Sequence, residues 1–396
     1  MKKKVVLAFS GGLDTSFCVK YLASQNLEVH AVTVNTGGFG PEELKEIEES
    51  ARSLGVVSCT VLDETARFYE QCIRYLVYGN VLKNNTYPLS VSAERVFQAA
   101  AIARHAQQTG ADFIAHGSTG AGNDQVRFDL VFQILAPNTG IITPIRDLKL
   151  SREEEVAYLE KQGVAREWKK ARYSINKGLW GTSVGGVETL NSRAPLPGEA
   201  WPSQLQKTEP EEMSLFFEKG ELKKVNGESF GHPVQAILQV EKLASAFAIG
   251  RDVHVGDTII GIKGRVGFEA AAALTIIKAH HLLEKHTLTK WQQHWKEQLG
   301  NWYGMMLHEA VFLDPVMRNI EQFLESTQQT VTGEVHLKLH PYYFELQGIT
   351  SDHDLMSAKF GSYGEMNLAW SGEDVKGFTK ILGNQINIFH KVNGEG

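Results

Sequence analysis

The sequence predicts an α/β fold class, in which a doubly wound parallel sheet is followed by an α+β region and a C-terminal helix. From residue 5 to residue 163, apolar runs with strand spacing alternate with amphipathic helical segments, which is typical of a parallel sheet with helices on both faces. This alternation stops near Lys170, and apolar residues recur at helical spacing over residues 373–392. We therefore predict three domains, at residues 1–168, 169–360 and 361–396.

The first predicted domain has clear start and stop signals. Pro41 begins a helix and Gly55 ends it, and Ser151 with Glu154 forms a capping box for a later helix. In order, we predict a strand at 5–9, a helix after the Ser-Gly-Gly turn, a strand at 28–34, a helix from 41, a strand at 56–62, helical stretches at 64–82 and 92–108, a strand at 112–116, a loop at 117–128 and a helix ending near 163.

The rest of the chain is less regular. The turn residues Asn226-Gly227 predict a hairpin between residues 216–221 and 224–228. The other predicted elements are long loops at 179–186 and 193–198, a helical block at 270–327, a region of strand spacing at 335–346 and a single helix at 373–392.

Composition excludes several classes of protein. The content of 42% hydrophobic and 22% charged residues is ordinary for a globular protein, and no apolar run approaches the length that spans a bilayer. The net charge of −6 does not favour a nucleic-acid partner. Cys18, Cys59 and Cys72 form no CxxC pair and are too few for a disulfide framework, so we predict a cytoplasmic protein.

The run from Ser10 to Ser16 has the chemistry of a phosphate site. A strand that passes through a glycine turn into a helix leaves N–H groups and the positive end of the helix dipole facing an anion. Gly11 and Gly12 admit that anion to the backbone, hydroxyls flank it, and Asp14 could hold Mg²⁺. The run lacks both the Gly-Lys-Ser/Thr of a Walker A loop and the Gly-x-Gly-x-x-Gly of a dinucleotide fold.

This run resembles the Ser-Gly-Gly-x-Asp-Ser/Thr signature of the PP-loop ATP pyrophosphatases. The resemblance implies cleavage of ATP between its α and β phosphates, adenylation of a carbonyl or carboxyl oxygen, and retention of pyrophosphate in the loop. ATP and Mg²⁺ are the cofactors it implies.

A second glycine-rich run, from His116 to Phe128, follows a predicted strand and includes Gly-Asn-Asp-Gln-Val-Arg-Phe. With this run, the whole chain resembles the argininosuccinate synthase family of the PP-loop group. The resemblance implies ligation of citrulline to aspartate through a citrullyl-adenylate in arginine biosynthesis, and a homotetramer closed by the C-terminal tail. It makes 1–168 the nucleotide-binding domain, 169–360 the synthetase domain and 361–396 the oligomerisation tail.

The resemblance also assigns residues to ligands. It implies that aspartate is bound by Thr119, Asn123 and Asp124, and citrulline by Tyr87, Ser92, Asn123, Arg127, Ser174 and Ser183. It implies that ATP is held by Ala8, Phe9, Ser10, Gly11, Gly12, Leu13, Asp14, Thr15, Ser16, Val34 and Gly117. Because this chemistry requires mainly positioning and charge neutralisation, Asp14 and Asp124 are the only catalytic candidates. For Asp124, binding the ammonium of aspartate is the more ordinary role.

The chain departs from the family at two citrulline-binding positions. Gly256 stands where the family has Glu, and Phe268 where it has Tyr. A missing partner for the α-ammonium would cost about 2–5 kcal/mol. Either Asp257 or Glu269 takes over, or the substrate is an N-acylated citrulline with no free α-ammonium.

Three other functions remain open from the residues alone. A tRNA-thiolating PP-loop enzyme would need a catalytic cysteine pair and a basic face, and neither is evident. An amidating ligase would need a glutaminase cysteine, for which Cys18, inside the first predicted helix, is poorly placed. The third is a non-enzymatic nucleotide-binding module.

Overall fold

The computed structural model describes residues 2–164, 166, 168, 172–357, 363–365 and 369–394. The first part is an α/β layer whose parallel sheet has the strand order β3-β2-β1-β4-β5. Its strands are β1 Lys3–Ala8, β2 Leu27–Asn35, β3 Ser58–Asp63, β4 Phe113–Ala115 and β5 Gly140–Ile142. Its helices are α1 Leu13–Ser24, α2 Pro41–Ser53, α3 Thr65–Phe68, α4 Arg74–Tyr78, α5 Ser90–Gln108, α6 Asp124–Leu135, α7 Pro144–Leu148 and α8 Arg152–Lys161.

The strand order creates a crevice at the centre of this sheet. From β1 the chain builds outward through β2 and β3, and it then crosses to β4 on the other side of β1. Open α/β sheets bind ligands where the order reverses, outside the carboxyl ends of the strands. Val5, Val6 and Leu7 are fully buried, because helices cover both faces of β1. The predicted doubly wound sheet is confirmed, and its two loops at the crevice are those after β1 and β4.

The second part contains antiparallel sheets and long helices. One sheet has the order β10-β9-β8-β13-β14 and the other the order β11-β12-β7-β6. The strands are β6 Ser174–Asn176, β7 Thr182–Gly185, β8 Glu211–Glu218, β9 Glu221–Val225, β10 Glu228–Ser229, β11 Arg251–Asp257, β12 Lys263–Glu269, β13 Gly333–His340 and β14 Tyr343–Thr350. The helices are α9 Pro233–Ser245, α10 Ala271–Thr287, α11 Lys290–His308, α12 Pro315–Thr327, α13 Gly372–Leu382 and α14 Asn384–Asn393.

The structure differs from the sequence prediction in several loops and strands. The loop predicted at 117–128 ends at Asn123, because Asp124 already begins α6. Part of the long loop predicted at 179–186 is strand β7. The predicted hairpin is a meander, in which β8 and β9 turn at Lys219-Gly220 and Asn226-Gly227 joins β9 to the short β10. The predicted stretch at 64–82 is interrupted by a π-helical turn at Tyr69–Ile73.

The tail is also different from its prediction. Instead of one helix, it forms α13 and α14, which meet at Gly383. None of the side chains in these helices is buried. Their apolar residues are mostly exposed, and Ile381 keeps 78% of its surface accessible. The domain limits at 168 and 360 remain predictions, and both fall beside residues outside the described ranges.

Candidate functional site

The loop between β1 and α1 is shaped to receive an anion. Ser16 Oγ and Thr15 Oγ1 donate to the Gly12 carbonyl at 2.8 and 3.2 Å, so both hydroxyls brace the start of the helix. No side chain caps the first turn of α1, which leaves its N–H groups for a ligand. Gly11 has φ +76°, a conformation that side chains disfavour. Ala8 is the last residue of β1, and Val34 is the last but one of β2. Both therefore lie at the carboxyl edge of the parallel sheet.

Asp14, in the first turn of α1, is paired with a second carboxyl group. Its side chain lies close enough to that of Glu155, from α8, for each carboxyl group to shift the pKa of the other. Burial raises the pKa of Asp14. Burial and the charge of Asp14 raise the pKa of Glu155 to about 8. The pair therefore retains a proton near neutral pH. The sequence pointed to Asp14 as a possible Mg²⁺ ligand but not to its partner Glu155.

The loop after β4 meets the loop after β1. A Cβ at Gly117 would lie 3.3 Å from Asp14 Cβ, so the two loops approach each other closely at this glycine. The loop is fixed to α6, since Gln125 Nε2 donates to the Gly120 carbonyl at 2.6 Å and His116 Nε2 lies 2.9 Å from Asp129 Oδ1. Thr119 is exposed in this loop. The crevice thus brings together Gly117 and the nucleotide loop, as the sequence predicts.

The first turn of α6 carries a charged clamp. Asp124 accepts from Arg95 Nε at 2.9 Å and from Arg127 Nη1 at 3.1 Å. Arg127 is buried and also donates to the His308 carbonyl at 3.1 Å through Nη2. Asn123 Oδ1 accepts from the Ile259 N–H at 2.9 Å. Burial raises the pKa of Asp124, but the two guanidinium groups outweigh it and hold that pKa below the ordinary value.

Tyr87 lies at the end of a tight turn that leads into α5. Its N–H and carbonyl both pair with the backbone of Lys83, at 3.0 and 2.8 Å. The Tyr87 hydroxyl is 3.3 Å from Ser92 Oγ and accepts from Ser90 Oγ at 3.1 Å. Two predicted citrulline-binding residues, Tyr87 and Ser92, are therefore in direct contact.

One face of the sheet β11-β12-β7-β6 looks toward Tyr87. Side chains alternate between the faces of a strand, and residues that pair across antiparallel strands share a face. Phe268 pairs with Ser183, and both lie on the face that holds His254 and Gly256. The Tyr87 ring stacks on His254 at 5.0 Å between centroids and contacts Phe268 at 5.3 Å. We call this surface the even face; besides these residues it carries Ser174, Asn176, Asp252, Gly264 and Val266.

The structure contradicts the replacement of the missing Glu by Asp257 or Glu269. Both residues have odd numbers in β11 and β12, so their side chains project from the opposite, odd face. Glu269 is buried there in an ion pair with Arg251 at 2.9 Å. Asp257 is largely exposed and pairs with Lys263 at 2.7 Å. Neither carboxylate lies with Tyr87, Ser92 and the even face, the group of residues that we call the Tyr87 pocket.

Four residues of the site were not predicted: Lys83, Arg95, His254 and Glu94. Arg95 lies three residues after Ser92 on α5, so helical spacing alone could have placed it beside the site. Glu94 is buried, accepts from Thr36 Oγ1 and from the Leu179 N–H, and burial raises its pKa to about 7. The β11 and β12 strands were not predicted, so nothing in the sequence pointed to His254.

No group of His, Cys, Asp and Glu residues in the described ranges forms a cage that could hold a metal ion. Across the same residues, no helix is long and apolar enough to cross a membrane.

Comparison with known proteins matches both halves of the chain. Residues 4–165 match the family model described as the arginosuccinate synthase N-terminal HUP domain, and residues 173–389 match the arginosuccinate synthase C-terminal domain. The chain is 36% identical to the argininosuccinate synthase of Xanthomonas campestris pv. campestris, over 99% of each chain. It is 34% identical to that of Xylella fastidiosa, over 99% of this chain and 98% of the relative, and 34% identical to that of Methanocaldococcus jannaschii, over 98% of each. A solved 4-thiouridine synthetase–RNA complex with bound ATP is 18% identical over 41% of each chain, with a TM-score of 0.31, which is too low to base a conclusion on.

The parallel sheet, its glycine turn and the crevice at the strand-order reversal define a PP-loop enzyme that uses ATP. Within that class, the chain belongs to the argininosuccinate synthase family and is a carbon–nitrogen ligase.

Proposed function

We propose that the protein joins the ureido group of a citrulline-type substrate to aspartate, with release of AMP and pyrophosphate. The observation that carries this proposal is the meeting of two loops in the crevice, where Gly117 lies against Asp14 and α6 leads on to the Tyr87 pocket. A nucleotide in the first loop would thus lie beside an acceptor in that pocket.

The proposed reaction has two steps. The ureido oxygen attacks the α-phosphorus of ATP and the bond to the β-phosphate oxygen breaks, so that pyrophosphate leaves. The aspartate amine, after losing a proton, then attacks the activated ureido carbon, and the C–O bond to AMP breaks. The first turn of α1 holds phosphates through its N–H groups. Asn123 and Arg127 orient the acceptor, because both are fixed by hydrogen bonds at their far ends.

The donor set suits a Mg²⁺ ion that arrives with ATP. Mg²⁺ keeps several waters and binds through one or two carboxylates together with phosphates. Asp14 could supply one oxygen, and Glu155 Oε2 is buried without a hydrogen-bond partner in the described structure. When bound, Mg²⁺ would neutralise phosphate charge; the positioning of ATP falls to the loop itself.

We further propose that the α-amino group of the acceptor is acylated. A free α-ammonium needs a carboxylate, and the even face offers none in the position of the missing Glu, because Gly256 and Phe268 carry no charge. Asp257 and Glu269 face away, and Asp124 is already held by Arg95 and Arg127. Asp252 shares the even face, but it is exposed and accepts from the adjacent Val253 N–H.

The test is pyrophosphate release from ATP by the purified enzyme. We expect release that requires both aspartate and an acceptor, and a higher kcat/KM for N-acetylcitrulline than for citrulline. Release that depends on tRNA or glutamine instead would overturn the ligation itself. A clear preference for free citrulline would overturn only the acylated substrate.

We also propose that the enzyme works in the cytoplasm as a homo-oligomer, a tetramer. In support, Cys18, Cys59 and Cys72 are all free thiols, and the apolar residues of α13 and α14 are mostly exposed in the single chain.

A further inference from the structure

Beside Gly256, the described structure contains polar groups to which the proposed reaction gives no role. A Cβ at Gly256 would lie 2.7 Å from His254 Nε2 and 3.3 Å from Asn84 Nδ2. The space that a side chain at this position would need is therefore taken by the imidazole, with the Asn84 amide next to it. His254 is only 7% exposed, and its Nδ1 is a buried atom without a hydrogen-bond partner. A buried polar atom in this state normally has a partner, in the protein or in a ligand.

A cation lies next to this imidazole. Lys83 and Tyr87 exchange both backbone hydrogen bonds, and residues paired in this way carry their side chains on the same side. Since the Tyr87 ring stacks on His254, this pairing puts the Lys83 side chain on the side of the turn that faces His254. Lys83 makes no ion pair within the described ranges, and it is partly buried. Burial and the charge of Lys83 lower the pKa of His254, and the same charge helps to lower the pKa of His308.

The loop that carries Lys83 is held rigidly against β11. Asn84 Nδ2 donates to the Val255 carbonyl at 3.2 Å, which ties the turn to the strand. The amide keeps one further N–H, so His254 and Asn84 both lie beside the place where the family has a carboxylate, and the charge of Lys83 acts on the same imidazole. The charge of Lys83 also reaches Asp257, but that carboxylate is on the odd face and is paired with Lys263. The groups beside Gly256 are therefore hydrogen-bond donors, whereas a free α-ammonium requires an acceptor.

We propose that Lys83, Asn84 and His254 form an anion subsite that holds the distal carboxylate of an N-acyl group derived from a dicarboxylic acid. Such a group extends from the α-nitrogen of the acceptor and ends in a charge that complements Lys83. The ammonium–carboxylate pair of the family is thereby reversed: the charge on the protein is positive and that on the substrate negative. This proposal rests on the proposed function, and it names the class of acyl group.

The test compares kcat/KM for pyrophosphate release with four acceptors: citrulline, N-acetylcitrulline, N-succinylcitrulline and the terminal amide of N-succinylcitrulline. The last two differ only in replacing the carboxylate by a neutral carboxamide. We expect the carboxylate form to be preferred over the amide by about tenfold or more.

Variants assign that preference to the subsite. Lys83→Met should bring the ratio of carboxylate to amide close to one. Lys263→Met is the matched control, because it removes a nearby lysine charge from the odd face, where Lys263 pairs with Asp257; it should keep the ratio of the wild type. Circular dichroism checks the fold of each variant, and if Lys83→Met does not fold, Lys83→Gln replaces it.

The outcomes separate the two proposals. Equal use of carboxylate and amide by the wild type, or an unchanged ratio in the folded Lys83 variant, overturns the anion subsite. If N-acetylcitrulline is the best acceptor, the subsite fails while the acylated substrate stands. If free citrulline is the best, both fail, but the ligation stands.

Discussion

Asp124 shows how a residue named from a motif takes its role from neighbours that the motif does not contain. Its motif position predicts a ligand for aspartate. In the structure, each of its carboxylate oxygens accepts from a different guanidinium group, of Arg95 and of Arg127. Asp124 therefore holds Arg127, for which we propose a role in binding the acceptor, and only its remaining lone pairs can meet an ammonium group.

We expect Asp124→Asn to lower kcat/KM for the acceptor about thirtyfold, which corresponds to about 2 kcal/mol. The amide leaves two guanidinium charges without a counter-charge, and Arg127 loses its orientation. Steady-state pyrophosphate release measures the effect. Asp147→Asn, which removes an exposed carboxylate on α7, is the control. A loss below twofold in Asp124→Asn would rule out this positioning role.

The carboxyl pair of Asp14 and Glu155 makes stability depend on pH. The pKa of Glu155 is about 8 in the fold, against an ordinary 4.5, so the folded chain holds a proton that the unfolded chain has lost. The stabilising contribution of this proton is complete below pH 4.5, and it is lost as the pH rises toward 8.

We expect Glu155→Gln to remove this dependence and to raise the free energy of unfolding at pH 8.5 by about 1–2 kcal/mol relative to the wild type. Urea unfolding at several pH values measures it. Glu153→Gln changes an exposed residue on the same helix and should leave the pH dependence as it is. Parallel curves for the wild type and Glu155→Gln would contradict the shared proton.

At the scale of elements, the sequence predicted those helices and strands that have a regular apolar spacing or a clear capping motif. The fully buried run of β1 and the reciprocal Ser151–Glu154 cap of α8 both agree with their predictions. The strands β11 and β12 were not predicted, because glycines and charged residues interrupt their apolar alternation. Sequence motifs pointed to the residues of the two loops at the crevice. The even face, in contrast, depends on the pairing of β11, β12 and β7, which no local pattern shows.

The nucleotide loop depends on one backbone conformation. At Gly11, with φ +76°, a side chain costs about 1–2 kcal/mol. We expect Gly11→Ala to raise the KM for ATP several-fold, because the loop must shift to relieve this strain. Gly40→Ala is the matched control, since Gly40 has φ −79° and no atom lies near its added Cβ. An unchanged KM in Gly11→Ala would show that the loop tolerates the change.

At the scale of the molecule, the tail extends the chain without adding to its core. The apolar side chains of α13 and α14 include Phe378, Ile381 and Phe389, and each is more than half exposed. Apolar surface of this kind is typical of contacts between protein chains.

If the enzyme forms the proposed tetramer, we expect Phe378→Glu combined with Ile381→Glu to convert it into smaller species in sedimentation velocity, because charges would be buried in the contact. Lys380→Glu changes charge between the two sites without removing apolar surface, so it should leave the sedimentation coefficient nearly unchanged. A wild type that sediments as a monomer, or a double variant that sediments as the wild type does, would contradict an assembly role for the tail.

The pairing of β11 with β12 has a consequence for how this enzyme can evolve. Odd positions anchor the sheet: Arg251 pairs with Glu269, Glu269 accepts from the Ser203 N–H, and Arg265 donates to the Ala194 carbonyl. Even positions, His254, Gly256 and Phe268, face Tyr87, where we propose that the acceptor binds. Selection can therefore exchange every second residue of these strands for a new acceptor while the intervening residues keep the sheet in place.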